Sequence, residues 1–528
     1  SITFPATVTC TDGGKKEFKK TVTITRGEEA RLAEIKVTGP ARGTIKAAEQ
    51  VSLTPFLAKA YDQYGQEIDL PAAAVWGLFG EPSGVTVEAA DGTGTVQIPA
   101  GAKEASGVTL RVRDYASGVS GSAKFDLVRD YSEGVLLSAV GIKESAVRRG
   151  SDTTLTPQYF DQFGEEIPGY VPLGDEWKID APASGVEIEK GRLKITDESL
   201  TGFTVTYTAD GKSVTKTLAI SEEAPVVSSI TVTRNTGSGA VNIPVSGSNN
   251  VAYTAEILDQ YSRPITTNPN IVWGVENAPA GVTASGSVQN GMLTVASTAP
   301  EAKGIRISAT DRATGVSGYA TTDIAKEDSA CVGIKIDPTV VPRDSENFQL
   351  KVKYLDQYGN EMAQPVNTAP IWSMVTEGLT DVVLTAGGKL TLNGHDQPFT
   401  VRAALSDSVK DEAEITVSGK TLSEESLKTV KLTAQSPVTV LTDADLEVPV
   451  YHKLVGEFGT DMTDRTDITL TWTGAANGKL TVPAKSPAKT YQVSAAATRG
   501  TEKVEGSVEV YAGHAEPQAQ SVKILTET

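Results

Sequence analysis

The chain runs to 528 residues and carries 48 Lys and Arg against 66 Asp and Glu, a formal charge of −18. That length is more than one hydrophobic core sustains and predicts about three to five domains, while so acidic a surface repels phosphate backbones and argues against a nucleic-acid partner. With 39% apolar and 22% charged residues the composition is that of ordered globular protein, and the only cysteines, Cys10 and Cys331, are too few for a disulfide scaffold or a Cys-rich zinc site.

Val, Thr, Gly and Ser are abundant and Met is rare, which favours strands and turns over helices. No apolar run of about 18 residues is present, so no membrane-inserted helix is expected in this segment.

In chain order, the first predicted element is a hairpin over residues 6–25. Ala6-Thr7-Val8-Thr9-Cys10-Thr11 parallels Phe203-Thr204-Val205-Thr206-Tyr207-Thr208, and Lys20-Thr21-Val22-Thr23-Ile24 parallels Lys216-Thr217-Leu218-Ala219-Ile220. Residues 1–30 therefore read as the closing hairpin of a partial domain.

Five longer units follow, each with the same order of signals. Unit 1 (31–131) opens on Ala33-Glu34-Ile35-Lys36-Val37. It continues with Tyr61-Asp62-Gln63-Tyr64-Gly65, then Trp76, then Gly94-Thr95-Val96-Gln97-Ile98. Unit 2 (132–224) has Ala139-Val140-Gly141-Ile142, Phe160-Asp161-Gln162-Phe163-Gly164, Trp177 and Gly191-Arg192-Leu193-Lys194-Ile195. Unit 3 (225–328) has Ser229-Ile230-Thr231-Val232, Leu258-Asp259-Gln260-Tyr261-Ser262, Trp273 and Gly291-Met292-Leu293-Thr294-Val295. Unit 4 (329–423) has Gly333-Ile334-Lys335-Ile336, Leu355-Asp356-Gln357-Tyr358-Gly359, Trp372 and Gly388-Lys389-Leu390-Thr391-Leu392. Unit 5 (424–514) has Thr429-Val430-Lys431-Leu432, a degraded Gly456-Glu457-Phe458-Gly459, Trp472 and Gly478-Lys479-Leu480-Thr481-Val482. In residues 515–528, Ser521-Val522-Lys523-Ile524-Leu525 reads as the first strand of a further unit or as a tail.

The five tryptophans are the only ones in the chain and stand 101, 96, 99 and 100 residues apart. Internal self-similarity at a fixed period is the signature of a repeat architecture. Alternating segments separated by turn signals give about seven strands per unit, the pattern of a Greek-key sandwich. The expected fold is all-β, a tandem array of Ig-like Greek-key β-sandwich domains. The linkers at 129–134, 221–226, 325–330, 418–426 and 513–520 are short, which predicts an extended rod of about 180 Å.

Each repeated feature has a structural and a functional reading. The tryptophans are placed in the core, the alternative being platforms for sugars. The Asp-Gln-aromatic-Gly motif, with Asp62, Asp161, Asp259 and Asp356, reads as a turn, the Asp accepting a nearby backbone N–H and the Gly supplying positive φ. Asp461, Asp464 and Asp467 crowd one loop, and Asp443 and Asp445 another. The first three are the weak calcium candidates, although no EF-hand spacing accompanies them. No cofactor is required by the sequence, with calcium left open. His395, His452 and His514 are isolated, and no Ser–His–Asp or Cys–His arrangement emerges from spacing. Tyr115, Tyr319 and Phe79 are the aromatics expected in loops.

The order of an Ile/Val-rich first strand, Asp-Gln-Tyr-Gly, Trp and Gly-x-Leu-x-Val resembles the bacterial Ig-like (Big) domains. Those occur in tandem in surface-layer proteins, in intimin- and invasin-like adhesins, and in accessory regions of secreted glycan-degrading enzymes. The resemblance covers units 1–5. It implies a non-catalytic structural component of the bacterial cell surface, extracellular, with self-association or cell-wall components as partners. An adhesin binding glycan or host protein, and an accessory region of a secreted multidomain enzyme, are the alternatives.

Overall fold

In the computed structural model, residues 2–9, 15–22, 29–150, 152–182, 184–265, 269–441 and 443–513 are described, the first two stretches as backbone only. They are almost wholly β, with one short 3₁₀ turn at Leu422–Glu424. Ile2–Thr9 pairs antiparallel with Lys15–Val22. Cys10, His514 and the strand predicted at Ser521–Leu525 lie outside the described residues.

Unit 3 shows the plan. One sheet orders Val227–Arg234, Ser248–Asp259, Asn290–Ala296 and Val282–Gly286; the other orders Val241–Asn242, Ser317–Ala325, Ala302–Asp311 and Ile271–Glu276. The first strand is split between the sheets, which turns the seven strands expected into eight. Its second piece, Val241–Asn242, lies parallel to Ile324–Ala325 of the closing strand. The same parallel pairing joins Arg42–Ile45 to Asp126–Arg129, Ala146–Arg148 to Ala219–Ser221, Val340–Val341 to Thr416–Val417, and Val438–Thr439 to Ala512–Gly513. All other pairings between sequential strands are antiparallel, as hairpins and Greek keys require.

Side-chain alternation explains why each sandwich closes. In Gly202–Ala209, Phe203, Val205, Tyr207 and Ala209 point inward. The alternate threonines face out and bond across the hairpin, Thr206 to Thr215 at 2.7 Å and Thr204 to Thr217 at 3.0 Å. Five separate clusters of buried side chains result, centred on residues such as Leu110, Val205, Leu293, Val401 and Val493. Close approach of the two sheets is set by glycine. An added Cβ at Gly121, Gly318 or Gly506 would stand 1.9, 2.0 or 2.1 Å from the carbonyl oxygen of Ile35, Ile230 or Val430 respectively. In each of these three units a closing-strand glycine thus lies against the first strand's backbone.

The expectation of an extended rod requires correction, because the array doubles back on itself. Arg111 of unit 1 pairs with Glu301 of unit 3 at 2.6 Å, both side chains about nine-tenths buried, and also donates to the carbonyl of Lys326. Lys303 pairs with Glu81 at 2.8 Å, and the Gly80 amide donates to Asp323 at 3.0 Å. The guanidinium of Arg111 and the ammonium of Lys303 both sit over the Phe79 ring. Burial raises the Glu81 carboxyl above its ordinary value against the pull of Lys303. Tyr511 of unit 5 joins the unit 3 core cluster and donates to the carbonyl of Asn277, and the Asn367 amide of unit 4 donates to Gln63 of unit 1 at 3.0 Å. Short linkers restrict the freedom of a joint but do not make it straight; the angle follows from which faces hold complementary groups.

Candidate functional site

The Asp-Gln-aromatic-Gly motif is a joint between each unit and the linker that precedes it. Asp62 Oδ1 accepts the amides of Tyr64 at 2.9 Å and Gln66 at 2.8 Å, while the Gly65 amide closes on the Asp62 carbonyl at 3.0 Å. Asp161 takes the amides of Phe163 and Glu165, Asp259 those of Tyr261 and Arg263, and Asp356 those of Tyr358 and Asn360, all at 2.8–3.0 Å. These four carboxylates are buried, so their lone pairs must find donors within the protein, and the turn's own amides supply them. Gly65, Gly164 and Gly359 hold φ between 76° and 79°, and in unit 3 Ser262 adopts φ 62° at the same place.

The glutamine next to each Asp reaches the other way. Gln63 accepts the Arg31 amide and donates to the Glu29 carbonyl, both at 2.8 Å. Gln162 does the same with Leu136 and Gly134, Gln260 with Val226 and Ala224, and Gln357 with Ala330 and Asp328, at 2.7–3.0 Å. Every amide thus straps a linker carbonyl and the N–H two residues on, just before the unit's first strand. The side-chain amide of Gln offers a donor and an acceptor side by side in one plane at any ordinary pH, which is why it fits. Sequence reasoning gave weight to the Asp, aromatic and Gly and missed the glutamine. The signal was its recurrence in four copies at a turn position where any polar residue would satisfy solvent.

The second aromatic adds to the strap in three units. Tyr261 is buried and donates to the Glu223 carbonyl at 2.8 Å, and Tyr358 accepts the Glu327 amide at 3.0 Å. Phe163 packs edge-on against Tyr131 with Arg129 over its ring. Tyr131 in turn donates to Asp161 at 2.7 Å.

The five tryptophans lie against the core of their own units. Trp273 and Trp372 are buried, and Trp76, Trp177 and Trp472 are half-buried beside the clusters. Each meets the glycine that opens the later Gly-x-Leu-x-Val marker. A Cβ on Gly94, Gly291 or Gly388 would come within 2.3–2.5 Å of the indole, and on Gly191 or Gly478 within 3.5–3.6 Å. A glycine just ahead of an alternating strand is expected in a turn. Gly191, Gly388 and Gly478 do have positive φ, but Gly94 and Gly291 sit in strands and serve as seats for the ring.

The calcium candidates are not brought together. Asp461 accepts from Thr463 and lies 3.5 Å from Lys453, and Asp467 takes Arg465 and Arg499 at 2.8–2.9 Å. Those guanidiniums, Arg465 first, hold the Asp467 carboxyl well below its usual range. Among the described residues no group of three His, Cys, Asp or Glu is placed to hold a metal ion. Asp445 accepts the Ala484 amide at 2.9 Å. His395 pairs with Asp381 at 2.9 Å, and His452 stands edge-on to Trp472. Cys331 is a free, half-buried thiol.

Of the aromatics expected in loops, Phe79 is corrected to a buried strand residue at the unit 1–unit 3 contact. Tyr115 is half-buried with Arg113 over its ring, and Tyr319 is a strand residue, half exposed, beneath Arg306.

No family model matches the chain, and no curated protein matches it. Among solved structures it is similar to the extracellular cadherin domains 1–5 of protocadherin gamma B2, at 12% identity over 79% of this chain and 85% of that one, with a TM-score of 0.26. Domains 1–6 of the surface layer protein SbsC match at 14% identity over 93% and 68%, TM-score 0.22. The N-terminal eight Ig domains of the Down syndrome cell adhesion molecule match at 13% over 94% and 72%, TM-score 0.15. Superpositions this loose carry no argument, and the fold stands on the chain's own strand pairing.

Proposed function

We propose that this chain is a non-catalytic structural component of a bacterial cell surface, a jointed scaffold for a surface layer, stalk or filament. The observation that supports it is where the polar chemistry lies. The repeated Asp, Gln and aromatic side chains bind turns and linkers, and the buried ions bind one unit to another. Such side chains fix geometry between domains rather than present reactive groups to a substrate. An extracellular location and self-association or cell-wall contact follow from that reading, and the net charge of −18 suits an open medium.

The test is assembly. Purified chain would be followed by light scattering and negative-stain electron microscopy over rising concentration, with and without calcium. Ordered multimers are expected; monomers under every condition would overturn the scaffold role. Selective binding on a glycan array would replace it with the adhesin reading.

A further inference from the structure

Unit 5 lacks the motif's Asp and Gln, yet its turn is intact. The Gly456 amide donates to the Thr460 carbonyl and the Gly459 amide to the Gly456 carbonyl, each at 3.0 Å, the same pair that closes the turns of the other units. The two amides that an Asp would cap belong here to Phe458 and Thr460. Both point at Glu425, a buried residue of the preceding linker. Phe458 donates to Glu425 Oε1 at 2.7 Å, Thr460 does so at 3.5 Å, and the Thr460 hydroxyl bonds Oε2. Gly456 makes the space, because a Cβ there would stand 2.1 Å from Glu425 Oε1. Glu457, in place of the glutamine, accepts the Ser426 amide at 3.2 Å and Lys420 at 3.0 Å.

We infer that Glu425 is the motif carboxylate moved from the domain to the linker, with Gly456 as its required counterpart. The two make the joint between units 4 and 5 different in kind from the other joints. In units 1–4 the turn is complete without the linker, and the glutamine straps the linker on afterwards. In unit 5 the turn is completed only when the linker is seated, so linker docking and turn order are one event. Glu425 is therefore a positioning residue whose occupancy couples the unit 4 linker to the fold of unit 5. Its backbone is held from the far side, where Arg499 donates to the Glu425 carbonyl at 2.6 Å.

The pairing is tested in the full chain by hydrogen exchange of two peptides, the turn (456–462) and the linker (420–425). Glu425→Ala strands two amides and should speed turn exchange about tenfold or more, from the loss of charge-assisted hydrogen bonds. Gly456→Asp should free the linker by forcing its carboxylate out, while the new Asp caps the turn in its place, so the linker peptide quickens and the turn stays within about threefold of the parent. The double variant Glu425→Ala/Gly456→Asp restores an in-domain cap. Its turn should return to within about threefold of the parent while its linker stays fast. General destabilisation by the substitutions, with no exchange of one cap for another, would leave both peptides fast in the double variant. A double variant whose turn is as fast as that of Glu425→Ala, or a Glu425→Ala turn that exchanges like the parent's, would overturn the assignment.

Discussion

Alanine at Gly291 separates steric seating of the tryptophan from ordinary strand preference. The new methyl carbon would lie 2.3, 2.4 and 2.6 Å from three indole carbons of Trp273. The ring cannot swing aside, since it is buried and its Nε1 donates to the Ser287 carbonyl at 2.6 Å. Overpacking of this kind costs about 1–3 kcal/mol. Removing a glycine from a strand returns about 0.5–1 kcal/mol. Taken at the middle of both ranges the net loss is about 1 kcal/mol, which for a domain of this size lowers Tm by roughly 4–8 °C. Gly77 is the control, also a strand glycine, whose added Cβ would meet nothing within 4 Å. Gly77→Ala should be neutral or slightly stabilising. Thermal unfolding read with hydrogen exchange of peptide 282–296 assigns the change to unit 3. If Gly291→Ala and Gly77→Ala behave alike, the indole is not seated on that glycine and the reasoning fails.

Gly318→Ala should cost more than Gly291→Ala, about 3 kcal/mol or above, because the obstruction is the Ile230 carbonyl rather than a side chain; a smaller shift in urea midpoint would refute it. Glu301→Gln leaves the Arg111 guanidinium buried without its counter-charge, so units 1 and 3 should part and small-angle scattering should show a longer maximum dimension with strand content unchanged. An unaltered scattering curve would mean the ion pair does not hold the array folded back. Burial pushes the Tyr511 phenol up to about 12 from 10.0. A pKa raised on folding gives stability that is full below about pH 10 and falls as pH rises toward about 12, so Tyr511→Phe should unfold less steeply over that window. Superimposable alkaline unfolding curves for parent and variant would count against it.

What the sequence made legible were features that repeat. Five tryptophans in phase and an alternating strand after each glycine announce an all-β array, because period and alternation are one-dimensional properties. That Trp273 rests on Gly291 was not legible, since their contact depends on how the two sheets face each other. Gln63, Gln162, Gln260 and Gln357 recur in phase, but their partners are main-chain groups, which no residue identity reveals. Glu425 was hidden for a sharper reason: unit 5 looked like a decayed copy because the compensating carboxylate had moved to another segment. The fold-back was beyond reach, for Arg111 and Glu301 sit in units that are not neighbours in the chain, and short linkers were read as straight ones.

The parallel pairing of each unit's entering strand with its closing strand sets how the array bears a load. Arg42–Ile45 and Asp126–Arg129 lie side by side and run the same way, as do Val241–Asn242 and Ile324–Ala325. A pull on the two ends of such a unit draws these strands past each other lengthwise. The ladder between them is then sheared, with all its hydrogen bonds stretched together instead of unzipped singly from one end. A chain of such sandwiches should first straighten by parting its folded-back contacts under tension. Only afterwards should single domains yield, each at its own clasp between first and last strand.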